Sequence, residues 1–146
     1  MMNDQIKVTG KLDMVLLDKT GAVKETVSIP NLVVTVGKNF IASRMKDATA
    51  TAMTHMAVGT NNTSPAAGDT TLGTELARVT LTSTTVSTNT VAYAASFGAG
   101  TGTGALVEAG LLNAASAGTM LARTTYAVIN KGASDSLTIT WTITVG

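Results

Sequence analysis

Few side chains in this sequence could move a proton, attack a substrate or hold a metal, and their spacing says what they are. His55 is the only histidine and it alternates with Met53 and Met56. A lone imidazole makes neither a metal cluster nor a triad, so it reads as strand packing. Asp69 and Glu75 are a candidate carboxylate pair, but no neighbouring residue positions or perturbs either, as acid/base work requires. Cysteine is absent, which excludes thiol catalysis, disulfides and thiolate zinc and fits a reducing cytoplasm. Gly100, Gly102 and Ala105 give a loose G-x-G-x-x-A match within a run of alternating glycines. A dinucleotide site needs that motif to open a crossover helix in a βαβ unit, with an acidic residue about twenty positions on. Nothing supplies that frame, and the glycines read as a flexible loop at a sheet corner. The reading is of a non-enzyme with no catalytic residue, cofactor or metal.

The element that must organise the rest is the final stretch, 136–145, a strict alternation with no Gly or Pro inside. Leu137, Ile139, Trp141, Ile143 and Val145 line one side of a strand and Thr138, Thr140, Thr142 and Thr144 the other. One face is core; the other is a β-branched hydroxyl face able to stay wet without charge. At 146 residues a single domain buries roughly 70% of its unfolded surface and needs no staple.

Charge is unevenly placed. The net charge is +1, and of 19 charged residues only Asp69, Glu75, Arg78, Glu108, Arg123, Lys131 and Asp135 lie beyond residue 47. Without a Lys/Arg stripe to displace counterions, direct nucleic-acid binding is discounted. Polarity comes from 27 threonines instead. A surface with little charge to desolvate tolerates contact with another protein. Apolar runs such as 14–17 and 32–34 are too short to span a bilayer, and residues 1–5 lack a secretory pattern, so no membrane association or export by that route is expected.

Taken in order, 6–17 reads as a strand bent at Gly10, 18–21 as a turn with Gly21 at positive φ, and 22–29 as the return strand. Lys7, Lys11, Lys19 and Lys24 either protect an edge of this 1–29 hairpin or meet an acidic partner. The period then changes, and 36–47 is a short amphipathic helix with Thr35 a possible N-cap, capping an open sheet end. Within 52–145 lie the remaining strands: 52–58, a hairpin of 77–85 with 90–97, then 105–117, 119–126 and the last strand. The 59–73 loop, too long for a tight connection, reads as functional or disordered. The 105–117 stretch has helix-favouring Ala, Leu and Glu, yet a turn at 115–118 into the next segment favours strand. The count is about eight strands and one helix, an all-β antiparallel sandwich of the jelly-roll kind with two four-stranded sheets.

Three segments carry a resemblance: Val58-Gly59-Thr60 with 64–76 (Ser-Pro-Ala-Ala-Gly-Asp-Thr-Thr-Leu-Gly-Thr-Glu-Leu), then 108–114 (Glu-Ala-Gly-Leu-Leu-Asn-Ala), then 120–124 (Met-Leu-Ala-Arg-Thr). In this order they resemble virion proteins of tailed bacteriophages, and most closely the small capsid cement, or decoration, proteins of short-tailed phages of the type known from a Bordetella phage. That resemblance implies a jelly-roll bound to the outside of an HK97-like shell, a homodimer clamping neighbouring major capsid protein subunits, and a virion location after assembly in the bacterial cytoplasm. The Glu-x-Gly-Leu and Leu-Ala-Arg elements also resemble phage tail-fibre and collar proteins, so a host-recognition module is the alternative. Sugar binding, however, wants exposed aromatics, which are few here, and a fibre would carry repeats or heptads, which are not found. The residues expected to meet a partner are Lys7 and Lys11 on the N-terminal hairpin, Asn61, Asn62, Asp69 and Thr70 on the 59–73 loop, and Thr101 and Thr103 on the 98–104 loop, each of which could equally be an ordinary exposed position.

Overall fold

The computed structural model describes residues 4–46 and 50–146. Ten strands form two antiparallel five-stranded sheets packed face to face, an all-β sandwich. The first sheet runs β2 (Val23–Pro30), β1 (Val8–Leu17), β10 (Ser136–Val145), β7 (Thr90–Phe97), β6 (Ser83–Ser87); the second runs β3 (Leu32–Val33), β9 (Met120–Lys131), β8 (Gly104–Leu112), β4 (His55–Gly59), β5 (Glu75–Thr80).

The final strand behaves as its alternation predicts. β10 lies between β1 and β7, with Leu12, Trp141 and Tyr93 in one cross-strand row. Leu137, Ile139, Trp141 and Ile143 are buried against Met56, Val58, Leu106 and Leu111 of the facing sheet. The interlocking of two such inner faces makes the core of a sandwich. Trp141 also donates its indole N–H to Asn31 Oδ1 at 2.9 Å, and the Asn31 backbone N–H donates to the Gly10 carbonyl at 3.1 Å. Asn31 lies so close to β1 that a Cβ on Gly10 would stand 1.7 Å from Oδ1. Gly10 is therefore the point where the strand lets the Trp141 partner in, rather than merely a bend.

Three of the expected strands are corrected. The anticipated 77–85 strand breaks after Thr80: β5 pairs with β4 in the second sheet, and β6 starts at Ser83 and pairs with β7 in the first. The crossing is held by Leu81 N–H to Thr54 C=O and Thr82 N–H to Ala94 C=O. Only residues 83–87 thus form the hairpin with β7. This split and the two-residue β3 turn eight strands into ten, and two four-stranded sheets into two of five. The 105–117 strand ends at Leu112, and β9 continues to Lys131 where a stop near 126 was expected.

The helix α1 (Thr35–Arg44) is present, but Thr35 does not cap it. Val34 is the N-cap and makes no side-chain capping bond, while the Thr35 N–H donates to the Ala67 carbonyl. The helix ends at Arg44 with Met45 as its C-cap, short of the expected end at Asp47, a residue that itself lies outside the described ones. α1 packs on β9, where Gly37 is required: a Cβ there would meet the Leu121 carbonyl oxygen at 2.1 Å. In the turn at 18–21, Gly21 has φ 85° as expected. The Asp18 carboxylate accepts from the Thr20 hydroxyl and from the Thr20 and Ala22 N–H groups, which holds its pKa below the usual carboxylate range.

Candidate functional site

The three segments that carried the resemblance meet in one buried charge network on the outer side of the second sheet. Glu108 is wholly buried on β8 and Arg123 is 2% exposed on β9. The Glu108 carboxylate accepts the N–H groups of Asn61 (2.8 Å), Gly73 (2.6 Å) and Thr74 (3.2 Å). Arg123 donates to Asp69 Oδ2 and to the Thr63 carbonyl, each at 3.0 Å, and its Nε lies 3.7 Å from Glu108 Oε1. Asp69 in turn accepts the Ala66 N–H. Tyr126 donates to the Glu108 backbone carbonyl at 2.9 Å, and burial together with the nearby carboxylate raises its pKa.

These bonds turn the 60–74 loop into a lid. Leu72 packs with Ala57, Leu112, Met120 and Val34 in a second small core, and Gly110 leaves the room: a Cβ there would stand 2.9 Å from Leu72 Cδ2. The loop covers a sheet face that would otherwise be open. The expected contact residues divide accordingly. Asn61 and Asp69 bind inward, Asp69 to Arg123 and Glu75 to Arg78, so the carboxylate pair is taken by different guanidinium groups. Asn62 and Thr70 stay exposed on the lid. The 98–104 corner brings Thr101 and exposed Thr103 to the sheet end where the lid begins and ends, because Gly102 packs against Val58 and Ala77. That corner is tied: the Gly100 N–H donates to Ala133 C=O, and the Lys131 ammonium donates to Gly98 C=O at 2.9 Å.

Lys131, 2% exposed, has its pKa lowered by desolvation, with Asp135 opposing. Asp135 accepts from Lys24 at 2.8 Å and from the Gly132 N–H, and both hold its pKa below the ordinary value. Arg78 is joined to Glu75 and to the carbonyls of Ala114 and Ala117. Each of the seven charged residues beyond position 47 thus has an internal partner. Their role is architectural, and the surface they leave is nearly neutral.

That neutrality is clearest on the outer face of the first sheet. The registers align Thr9, Thr144, Thr90 and Ser87 in one row; Lys11, Thr142, Ala92 and Thr85 in the next; Asp13, Thr140, Ala94 and Ser83 in the third; and Val15, Thr138 and Ser96 in the fourth. All are exposed or half-buried. The only charges in the rows, Lys11 and Asp13, lie 3.8 Å apart. With strands about 4.8 Å apart and same-face residues about 6.7 Å apart, this hydroxyl-rich field spans about 14 Å across the strands by about 20 Å along them. Lys11 therefore belongs to this face, and Lys7 to the end of β1 beside the helix. The two lysines and the loop residues occupy different sides of the sandwich.

His55 is half-buried on β4, with Nδ1 2.7 Å from the Thr54 hydroxyl and Nε2 3.4 Å from that of Thr80. Among the described residues no three His, Cys, Asp or Glu side chains gather as a metal site, and no helix is long and apolar enough to cross a membrane. Glu108 and Arg123 did not stand out as site residues in the sequence. The signal was there: opposite charges set among buried residues on two strands joined by a turn. Comparison with protein-family models, curated proteins and solved structures returns no match.

Proposed function

We propose that this chain is a structural virion protein, a capsid cement protein that attaches to the outside of a phage head and bridges major capsid subunits as a dimer. The observation that carries the reading is the hydroxyl-rich field on the first sheet, whose only charges are the paired Lys11 and Asp13. Such a face buries against another protein with little desolvation of charge, and its β-branched residues suit a pleated, half-buried surface. The resemblance names the partner, and its three segments correspond to one three-dimensional unit: lid, Glu108 strand and Arg123 strand.

Area supports bridging over a single strong contact. A field of about 14 Å by 20 Å falls short of the roughly 800 Å² per partner of a standard stable interface. Two modest contacts on adjacent subunits act together through effective concentration, and binding the assembled shell but not free subunits favours the shell by mass action. The test is co-sedimentation of the purified chain with mature heads stripped of their decoration protein, and separately with isolated tails. Saturable uptake by heads in fixed ratio to the major capsid protein supports the reading. Uptake by tails alone moves the assignment to a fibre or collar component.

A further inference from the structure

Among the described residues, β1 has a strand partner on one side only at its N-terminal end. β10 pairs with it from Val8 onward, but β2 stops with Pro30 opposite Lys11, and the chain leaves through Asn31 toward the other sheet. Lys7 C=O accepts from Gly146 on the β10 side, and Gly10 C=O accepts from Asn31 on the other. Because successive residues of a strand direct their backbone groups to opposite sides, the N–H and C=O of Val8 face the open side. A groove of about 460 Å³ lies there between the strand and α1, lined by Ile6, Lys7, Val8, Thr9, Lys38 and Ile41.

The lining has a definite chemistry. Ile6, Val8 and Ile41 make an apolar floor, Ile6 being 77% exposed. Lys7 and Lys38 are exposed, and among the described residues no carboxylate lines the groove and neither lysine has an ion-pair partner. An open strand edge beside a helix is where an extended peptide adds as a further strand, with main-chain bonds giving affinity and flanking side chains giving specificity. We infer that this groove takes an extended segment of a partner protein in which carboxylates alternate with apolar side chains: the apolar set meets Ile6, Val8 and Ile41, and the carboxylates meet Lys7 and Lys38. The inference deepens the cement reading by naming the chemistry of an attachment segment, and rests on that reading only for which protein carries it.

The test titrates the ¹⁵N-labelled full chain with an end-blocked peptide of about six residues, roughly 20 Å extended, alternating valine with glutamate. The amides of Val8, Thr9, Lys38 and Ile41 shift saturably, and the Lys7→Glu/Lys38→Glu double variant binds at least about tenfold more weakly, as reversal of two exposed charges requires. A valine/lysine peptide shows the opposite order. Both substitutions are at exposed positions, and an unchanged melting temperature verifies the fold. The inference is overturned if those amides stay still, if charge reversal leaves affinity unchanged, or if they shift with protein concentration alone, which would make a second copy the occupant. Sedimentation with stripped heads run in parallel separates the two ideas. Heads that take up wild type and double variant equally overturn the groove as an attachment site and leave the cement reading standing; heads that take up neither overturn the cement reading while the peptide titration still decides the groove.

Discussion

Replacing Glu108 with glutamine tests whether the 60–74 lid is held by the buried carboxylate. Oε2 accepts Asn61 and Thr74, and Oε1 accepts Gly73 beside the Arg123 Nε. Glutamine fits the space but offers one acceptor oxygen, so its NH₂ must face either the Gly73 N–H and the guanidinium or the other two N–H groups. Hydrogen bonds to a charged group contribute about 1.5–3 kcal/mol each, and part of that offsets the desolvation of the buried carboxylate. Removing one partner of a buried pair costs about 3–5 kcal/mol; because Glu108→Gln keeps some bonds, the low end, about 3 kcal/mol, is expected. For a chain of this length that lowers Tm by about 6–12 °C. Urea unfolding followed by tryptophan fluorescence gives the first number, and native-state hydrogen exchange locates it: the amides of Asn61, Gly73 and Thr74 should lose protection before the core of β10 does. A variant within about 0.5 kcal/mol of wild type, with those amides still protected, would refute the anchoring role.

Three further expectations follow from local geometry. Thr88 sits at φ 50° in the β6–β7 turn, where a β-branched residue is strained, so Thr88→Gly should raise stability by about 0.5–1 kcal/mol in the same urea assay. Gly10→Ala drives a methyl into Asn31 and breaks the bond to Trp141; a loss of about 2–4 kcal/mol with a red-shifted tryptophan emission is expected. Asp135, with its pKa lowered by Lys24 and the Gly132 N–H, stabilises the fold above its unfolded pKa near 4. That contribution disappears as pH falls through the lower folded value. Wild type should therefore lose stability below about pH 4 with a steeper slope than Asp135→Asn, measured by urea midpoints across that range.

What could be read from the sequence was local. The 136–145 alternation carries no competing signal, so its strand, its buried Trp141 and its hydroxyl face all follow from a period of two. The turn at Asp18 to Gly21 and the helix body are legible for the same reason: their causes lie within a few residues. The break between Thr80 and Ser83 was not legible, since neither Gly nor Pro marks it. The chain changes sheets there because Leu81 and Thr82 find partners at Thr54 and Ala94, each more than ten residues away. The lid was misjudged for a similar reason. Its Gly, Asn, Ser and Pro residues look like an exposed loop, and the groups that hold it down, Glu108 and Arg123, lie 34 to 60 residues further along the chain. Asn61 and Asp69 accordingly turned from surface residues into internal ties. The surface rows of Thr and Ser emerged only when β10 was set between β1 and β7.

The central claim, that the hydroxyl field of the first sheet is the surface by which the chain reinforces a capsid, is tested most directly by thermal release of packaged DNA. Stripped heads are refilled with wild-type chain or with Thr140→Arg/Thr142→Arg, which places two charges in the middle rows without touching the core. The account predicts that wild-type chain raises the release temperature in proportion to bound copies, while the variant, folded with an unchanged Tm, binds at least about tenfold more weakly and protects less. Equal binding and equal protection by the two proteins would contradict it.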